Sequence, residues 1–250
     1  MELIETPEES GDEIKRCIGK FGYAPEHNYT YFLTAAEQGA RNLFLKSDDG
    51  YGVLTNYREN TGEVVMVSEA LAPREKQVEI LRDALDLCFS QLKATKFVVE
   101  QDDALRTKTV KSFKGNGYAV LQPRFSLYWP VFNMEKWHGD DMTGDDWKKL
   151  RNIKNRFYGE HSVEVVDSRT VGKEELKKIV NDWVERRKLM SLGANRRDSN
   201  LAYYERYHKL IDLGFEGTKF AKTMVVDGEP CSITCGWEIP NSDGSYYSAI

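Results

Sequence analysis

The stretch "NLFLKSDDGYGVLTNYRENTGEVVMVSEAL" (residues 42–71) sets three apolar runs between two glycine-ended turns. NLFLKS (42–47) reads as a strand, DDG (48–50) as a tight turn and YGVLTNY (51–57) as the hairpin partner. ENTG (59–62) is a second turn, and EVVMVSEAL (63–71) is a third strand. The same order returns near the other end of the chain: KFAKTMVV (219–226), turn DG (227–228), PCSITCGWEI (230–239), turn PNSDG (240–244) and SYYSAI (245–250). Few residues are identical, so the repetition lies in the order of strands and turns. It predicts two copies of one design.

Working outward from the first meander, DEIKRCIGKFG (12–22) has the pattern of a short amphipathic helix ending at Gly22. Pro73 opens a helix, PREKQVEILRDALDLCFSQL, with Val78, Leu81, Leu85 and Cys88 along one face. KFVVEQ (96–101) reads as a buried strand, DDALRTKTVKSFKGNG (102–117) as a helix closed by glycine, and YAVLQPRFSLYWPV (118–131) as a final extended piece. A meander that passes into strand–helix alternation predicts a mixed α/β sheet with helices on its faces. Residues 1–131 form the first domain in this reading, and 132–143 a connector.

The second domain spans 144–250. It opens with a helix over 144–159, capped in the Thr143–Asp146 region, followed by the strand HSVEVVDS (161–168). Lys173–Met190 is a helix with Leu176, Ile179, Val180, Trp183, Arg187 and Met190 on one side, its first turn carrying Glu174 and Glu175, where acids suit the helix dipole. SLGANRRDS (191–199) is a loop and NLAYYERYHKLIDLG (200–214) a helix. This copy stops where the first still has a helix, a strand, a helix and a strand to come. A bare apolar strand leaves an unpaired edge, so the chain is expected to be a piece of a longer protein, or to be completed by a partner.

The bulk numbers bound the function. With 250 residues, 40% hydrophobic and 30% charged, the chain can bury sizeable cores and is not of disordered composition. No apolar run approaches the ~20 residues of a membrane span. The start, MELIETPEESGDEIKR, is acidic and unlike a signal peptide, which makes a cytoplasmic location the expectation. Cys17, Cys88, Cys231 and Cys235 are scattered and read as reduced thiols, the last two sharing a strand face, with no His at metal-like spacing. Although the net charge is −5, Gly144–Lys222 holds 18 of the 35 Lys and Arg and 13 of the 40 Asp and Glu, a net of +5. A localised anion-binding surface fits that asymmetry; wholesale nucleic-acid coating does not.

Much of the positive charge sits in WKKLRNIKNRFYGE (147–160). On a helix, Trp147, Leu150, Ile153 and Phe157 share one side and are expected to bury. Lys148, Arg151, Asn152 and Asn155 form another arc, flanked by Lys149 and Arg156. That arc is either a solvated face or a stripe gripping phosphate or carboxylate. Arg196 and Arg197, followed by Tyr203, Tyr204 and Tyr207, repeat the basic–aromatic combination. No G-x-x-x-x-G-K-[ST], G-x-S-x-G or H-E-x-x-H motif occurs.

The strand order resembles the GNAT acyltransferase fold used twice. FNMEKWHGDD…WKKLRNIKNRF resembles the start of the C-terminal domain of the phosphatidylglycerol lysyltransferase-like family, through Lys148, Lys149, Arg151, Asn152, Asn155, Arg156 and Phe157. The resemblance implies transfer of an acyl or aminoacyl group, from acyl-CoA or aminoacyl-tRNA, to an amine or hydroxyl. It also implies a glycine-rich turn cradling diphosphate at a helix N-terminus and donors aimed at the reacting carbonyl. The first unit departs from that pattern: SEALAPREKQ (68–77) has no glycine, and Pro73 removes a donor. By that measure the first unit is a supporting, non-catalytic domain. By position the resemblance implies an acceptor end at Trp237 and Glu238, with Glu238 the candidate general base, and Arg151, Asn155, Arg196 and Arg197 holding anionic parts of the substrates. The alternative expectation is a non-catalytic module binding tRNA, a lipid headgroup or a small anionic molecule.

Overall fold

The computed structural model describes the chain except for residues 37–38, 124, 127, 129, 135–142, 192–203 and 250, and the side chains of 188–191. The protein is mixed α/β, with one five-stranded mixed sheet and one antiparallel four-stranded sheet. The first sheet is built from β1 (Glu2–Ile4), β2 (Ala40–Lys46), β3 (Gly52–Arg58), β4 (Glu63–Met66) and β5 (Lys96–Val98), in that spatial order. Successive pairs are antiparallel except β4 and β5, which run parallel. Helices α1 (Gly11–Phe21) and α2 (Tyr29–Ala35) precede β2, while α3 (Gln77–Ser90) and α4 (Asp103–Phe113) flank β5.

Alternation along the strands explains why helices cover both faces. Leu43, Leu45, Val53, Tyr57, Val64 and Met66 turn to one side and pack with Ile80, Leu81, Leu85 and Cys88 of α3 and Phe113 of α4. Phe44, Leu54, Val67 and Leu71 turn to the other and pack with Ile14 and Ile18 of α1 and Phe32 of α2. Each fully buried Leu or Phe contributes about 1.5–3 kcal/mol.

The second sheet has the order β6 (Val163–Asp167), β7 (Phe220–Val226), β8 (Glu229–Glu238), β9 (Tyr246–Ser248), all antiparallel. Helix α5 (Lys148–Glu160) precedes β6, and α6 (Lys173–Ser191) and α7 (Tyr204–Asp212) lie between β6 and β7. Leu176 and Val180 of α6 and Leu210 and Ile211 of α7 pack on Ala221, Ile233 and Cys235. Val165, which points away from that core, is exposed. The order β1-α1-α2-β2-β3-β4 is thus matched by β6-α6-α7-β7-β8-β9, with the same strand order and antiparallel pairing in both sheets.

Several local expectations need correction. The strand β1 and the helix α2, capped by the Asn28 carboxamide accepting from Tyr31 N at 2.9 Å, are additional to the elements read from sequence. Residues 118–131 form no strand among the described residues; Leu121, Phe125 and Tyr128 are exposed. Pro73 does not begin α3: residues 74–76 form a turn, and the helix starts at Gln77. The helix expected from 144 begins at Lys148, and its N-cap position is Trp147, which offers no side-chain cap bond. Cys231 and Cys235 do not share a face. Met224 pairs with Ser232 and Val225 with Pro230, so the register skips Cys231, leaving it exposed while Cys235 is buried. Among the described residues no helix is long and apolar enough to cross a membrane.

Candidate functional site

The parallel pairing of β4 with β5 ends at Val65 and Val98. In open α/β sheets ligands favour the crevice at the carboxyl ends of such strands. Ser68 and Glu69 follow β4 at this point, and Glu100 and Asp102 follow β5. Glu69 links the two segments beyond the paired strands, its Oε1 accepting from the Asp102 backbone N at 2.8 Å. Its Oε2 accepts from Arg74 Nη1 at 2.8 Å and from the Tyr23 hydroxyl. Arg74 also pairs with Asp102, which in turn caps α4 by accepting from Leu105 N at 2.7 Å. Gln77 Nε2 donates to the Tyr23 oxygen at 2.5 Å and closes the network from the start of α3. Burial, reinforced by the Glu69 carboxylate, pushes the Tyr23 phenol up, so it stays a proton donor.

Above this network runs the loop from Gly22 to Asn28 that joins α1 to α2. His27, fully buried, receives Tyr23 N at 3.0 Å and Ala24 N at 3.1 Å on Nδ1. Its Nε2 therefore carries the hydrogen and donates to the Glu69 carbonyl at 2.9 Å. Burial lowers this imidazole to about 4. The neighbouring Glu26 is only 6% exposed. Burial pushes its carboxyl up to about 7 and the Glu100 charge adds to that rise, while its own backbone N–H, Arg206 and the Ser68 hydroxyl oppose it. Glu100 keeps solvent access along its side chain, and its carboxyl is raised by partial desolvation and by Glu69. A carboxyl poised near neutrality beside a second carboxyl is suited to accept a proton from a reacting group.

Residues from the second sheet and α7 pack beside this cluster. Arg206 of α7 stacks its guanidinium 3.9 Å from the Tyr31 ring centre. Trp237 packs against Tyr31 at 5.7 Å and Tyr247 at 5.2 Å between ring centres. Burial raises the phenols of both tyrosines.

The residues singled out from sequence are distributed differently. Trp237 is buried, and its Nε1 donates to Pro25 O at 2.7 Å; Glu238 is exposed at the end of β8. On α5, Lys148, Lys149, Asn152, Asn155 and Arg156 are exposed and Arg151 is half-buried. Arg151 Nη1 donates to Gly144 O at 3.3 Å, and Arg156 Nε pairs with Glu160 at 2.9 Å. The expected burial of the apolar side of α5 does not occur: Leu150 and Ile153 are exposed, Trp147 and Phe157 half-buried. The core of the second sheet is filled instead by α6 and α7. Arg196, Arg197 and Tyr203 lie outside the described residues.

The Glu26 cluster leaves no motif in the sequence because its members are far apart in the chain. One signal does point to it: Glu69 interrupts the apolar run EVVMVSEALA, and a buried acid needs partners. No protein-family model matches the chain, and no curated protein matches it.

Proposed function

We propose that the chain serves acyl or aminoacyl transfer, with Glu26 as the general base. The observation that carries this reading is the position of Glu26, a buried carboxyl beside Ser68 and Glu100 where the pairing of β4 with β5 ends, and burial there raises it toward neutrality. As the acceptor amine or hydroxyl attacks the carrier's thioester or ester carbonyl, Glu26 takes the acceptor's proton. The new C–N or C–O bond forms, the carrier C–S or C–O bond breaks, and the protonated Glu26 returns the proton to the departing thiolate or alkoxide. The acyl class and the carrier, acyl-CoA or aminoacyl-tRNA, come from the resemblance of strand order and of the α5 motif. In this reading Lys148, Arg151, Asn152, Asn155 and Arg156, with Arg196, Arg197 and Tyr203, hold anionic parts of the carrier. Chemistry thereby moves to the first unit, which its glycine-free junction had suggested was a support. Glu26 is preferred over Glu238 because Glu238 is solvated at a strand end.

The test is turnover with a panel of acyl-CoAs and aminoacyl-tRNAs against amine and hydroxyl acceptors, for wild type and Glu26→Gln. Wild type is expected to consume one carrier, and the variant to be slower by about 10²–10⁴-fold. Absence of turnover across the panel, or an undiminished Glu26→Gln rate, sinks the reading.

A second reading is a non-catalytic module for tRNA or an anionic headgroup. It is favoured by the exposure of Lys148, Lys149 and Arg156 together with Leu150 and Ile153, which makes α5 a basic amphipathic helix. Salt-sensitive binding of tRNA or anionic vesicles without turnover distinguishes it.

A further inference from the structure

The loop that carries Glu26 is held from both sides. From below, His27 ties it to the Glu69 carbonyl. From the second sheet, Trp237 Nε1 donates to the carbonyl of Pro25, the residue before Glu26, at 2.7 Å. Asn241 spends its carboxamide nitrogen on Gly22 O at 2.7 Å and Gly19 O at 3.1 Å. It does so from the β8–β9 turn with φ +52°, a conformation that asparagine tolerates better than most residues. The approach is close. A Cβ on Gly22 would lie 3.2 Å from Pro240 Cβ and 2.6 Å from the Ile18 carbonyl oxygen. Beyond the loop the same pattern continues. Asn28 Nδ2 donates to Gly217 O at 3.2 Å, and Lys209 Nζ caps the end of α2 by donating to Ala36 O at 2.9 Å. Four of these five bonds run from a side chain of the second sheet's unit to a main-chain carbonyl of the first. Such bonds fix the backbone path of the loop without engaging the Glu26 side chain.

We infer that Trp237 and Asn241 are positioning residues, holding the Gly22–Asn28 loop so that Glu26 is presented to Ser68 and Glu100. The inference rests on the proposed role of Glu26 for its functional meaning, but the clamp has a readout of its own. Glu26 faces Glu100 and Ser68 from the strand ends, Glu69 through Glu100, Tyr31 from α2, Arg206 from α7 and Tyr247 from β9. Loss of the clamp lets water reach Glu26 without changing any of those charges.

The experiment is a pH titration by NMR of the full chain with ¹³C-labelled glutamate carboxyls, with Glu26→Gln identifying the signal. Wild type should show one carboxyl titrating near pH 7 that is missing from Glu26→Gln. In Trp237→Phe, which removes the N–H and keeps an aromatic ring, and in Asn241→Gly, which keeps the positive φ, that titration should move toward the ordinary glutamate value of about 4.3. Circular dichroism confirms that each variant is folded. Should Trp237→Phe not fold, Asn241→Gly, at an exposed turn position, carries the test. An unmoved titration in a folded variant overturns the clamp. A moved titration in a protein that turns over neither carrier upholds the clamp and removes the transferase reading. Where turnover exists, the acidic limb of the kcat–pH profile should move down with the titration.

Discussion

The His27 Nε2 atom lies 2.9 Å from the carbonyl oxygen of Glu69, and this hydrogen bond fixes a neutral imidazole directly beside the raised carboxyl of Glu26. A protonated ring would have to abandon the two backbone donors on Nδ1. The two adjacent residues thus resist charging for the same reason, burial, but from opposite sides of neutrality.

Opposite pH slopes follow. His27 is lowered from 6.5 to about 4, so the unfolded chain binds its proton first and stability is lost as pH falls through that window. Glu26 is raised from 4.5 to about 7, so its contribution is present below 4.5 and is lost as pH rises toward 7. Each is worth about 3 kcal/mol, at roughly 1.4 kcal/mol per unit. Urea unfolding of Glu26→Gln should therefore show stability rising from pH 4.5 to 6.5, and His27→Asn should show it falling. Wild type should be flatter than either; three parallel curves would refute the assignment.

Beside the second sheet, Thr223 and Ser168 are both fully buried, and Thr223 Oγ1 donates to Ser168 Oγ at 2.8 Å. Thr223→Val keeps the shape and strands the serine hydroxyl, which should cost about 1–3 kcal/mol in denaturant unfolding. Thr223→Val combined with Ser168→Ala should recover part of that loss.

Gly22→Ala brings a methyl to 2.6 Å from the Ile18 carbonyl oxygen and 3.1 Å from His27 Cβ. The φ of −70° is ordinary, so the effect is crowding alone. A loss of about 1–3 kcal/mol in thermal or urea unfolding is expected. Gly19→Ala, with nothing within 4 Å and in a helix interior, should be neutral or stabilising.

Thiol labelling gives a direct check on the bulge in β8. Burial pushes Cys17, Cys88 and Cys235 up to about 12, whereas Cys231 is exposed. An aromatic disulfide reagent at pH 8 should modify one of the four cysteines in the native protein and all four in denaturant. Rapid modification of Cys235 would contradict the register.

The meanders were legible because their information is local: alternating apolar residues and glycine-ended turns specify β2-β3-β4 and β7-β8-β9. Helices α1 and α3 were legible for the same reason. β1 is not legible because a three-residue strand carries too little pattern, and α2 is not because YTYFLTA offers aromatic and β-branched residues with weak helix propensity. Its formation depends on the Asn28 cap and on the burial of Phe32. For α5, periodicity tells which residues share a face, not whether anything covers it. The Glu26 cluster depends on residues from the α1–α2 loop, the two strand ends and α7. No spacing in the chain encodes their meeting.

Helices α2 and α7 occupy corresponding places in the two repeated orders, and they pack on each other. Like meets like, as in a twofold dimer, but here both partners are joined by a covalent tether. Their encounter is intramolecular, so dilution cannot part them. Any chemistry that draws on both halves should hold its specific activity down to the lowest protein concentrations that can be assayed.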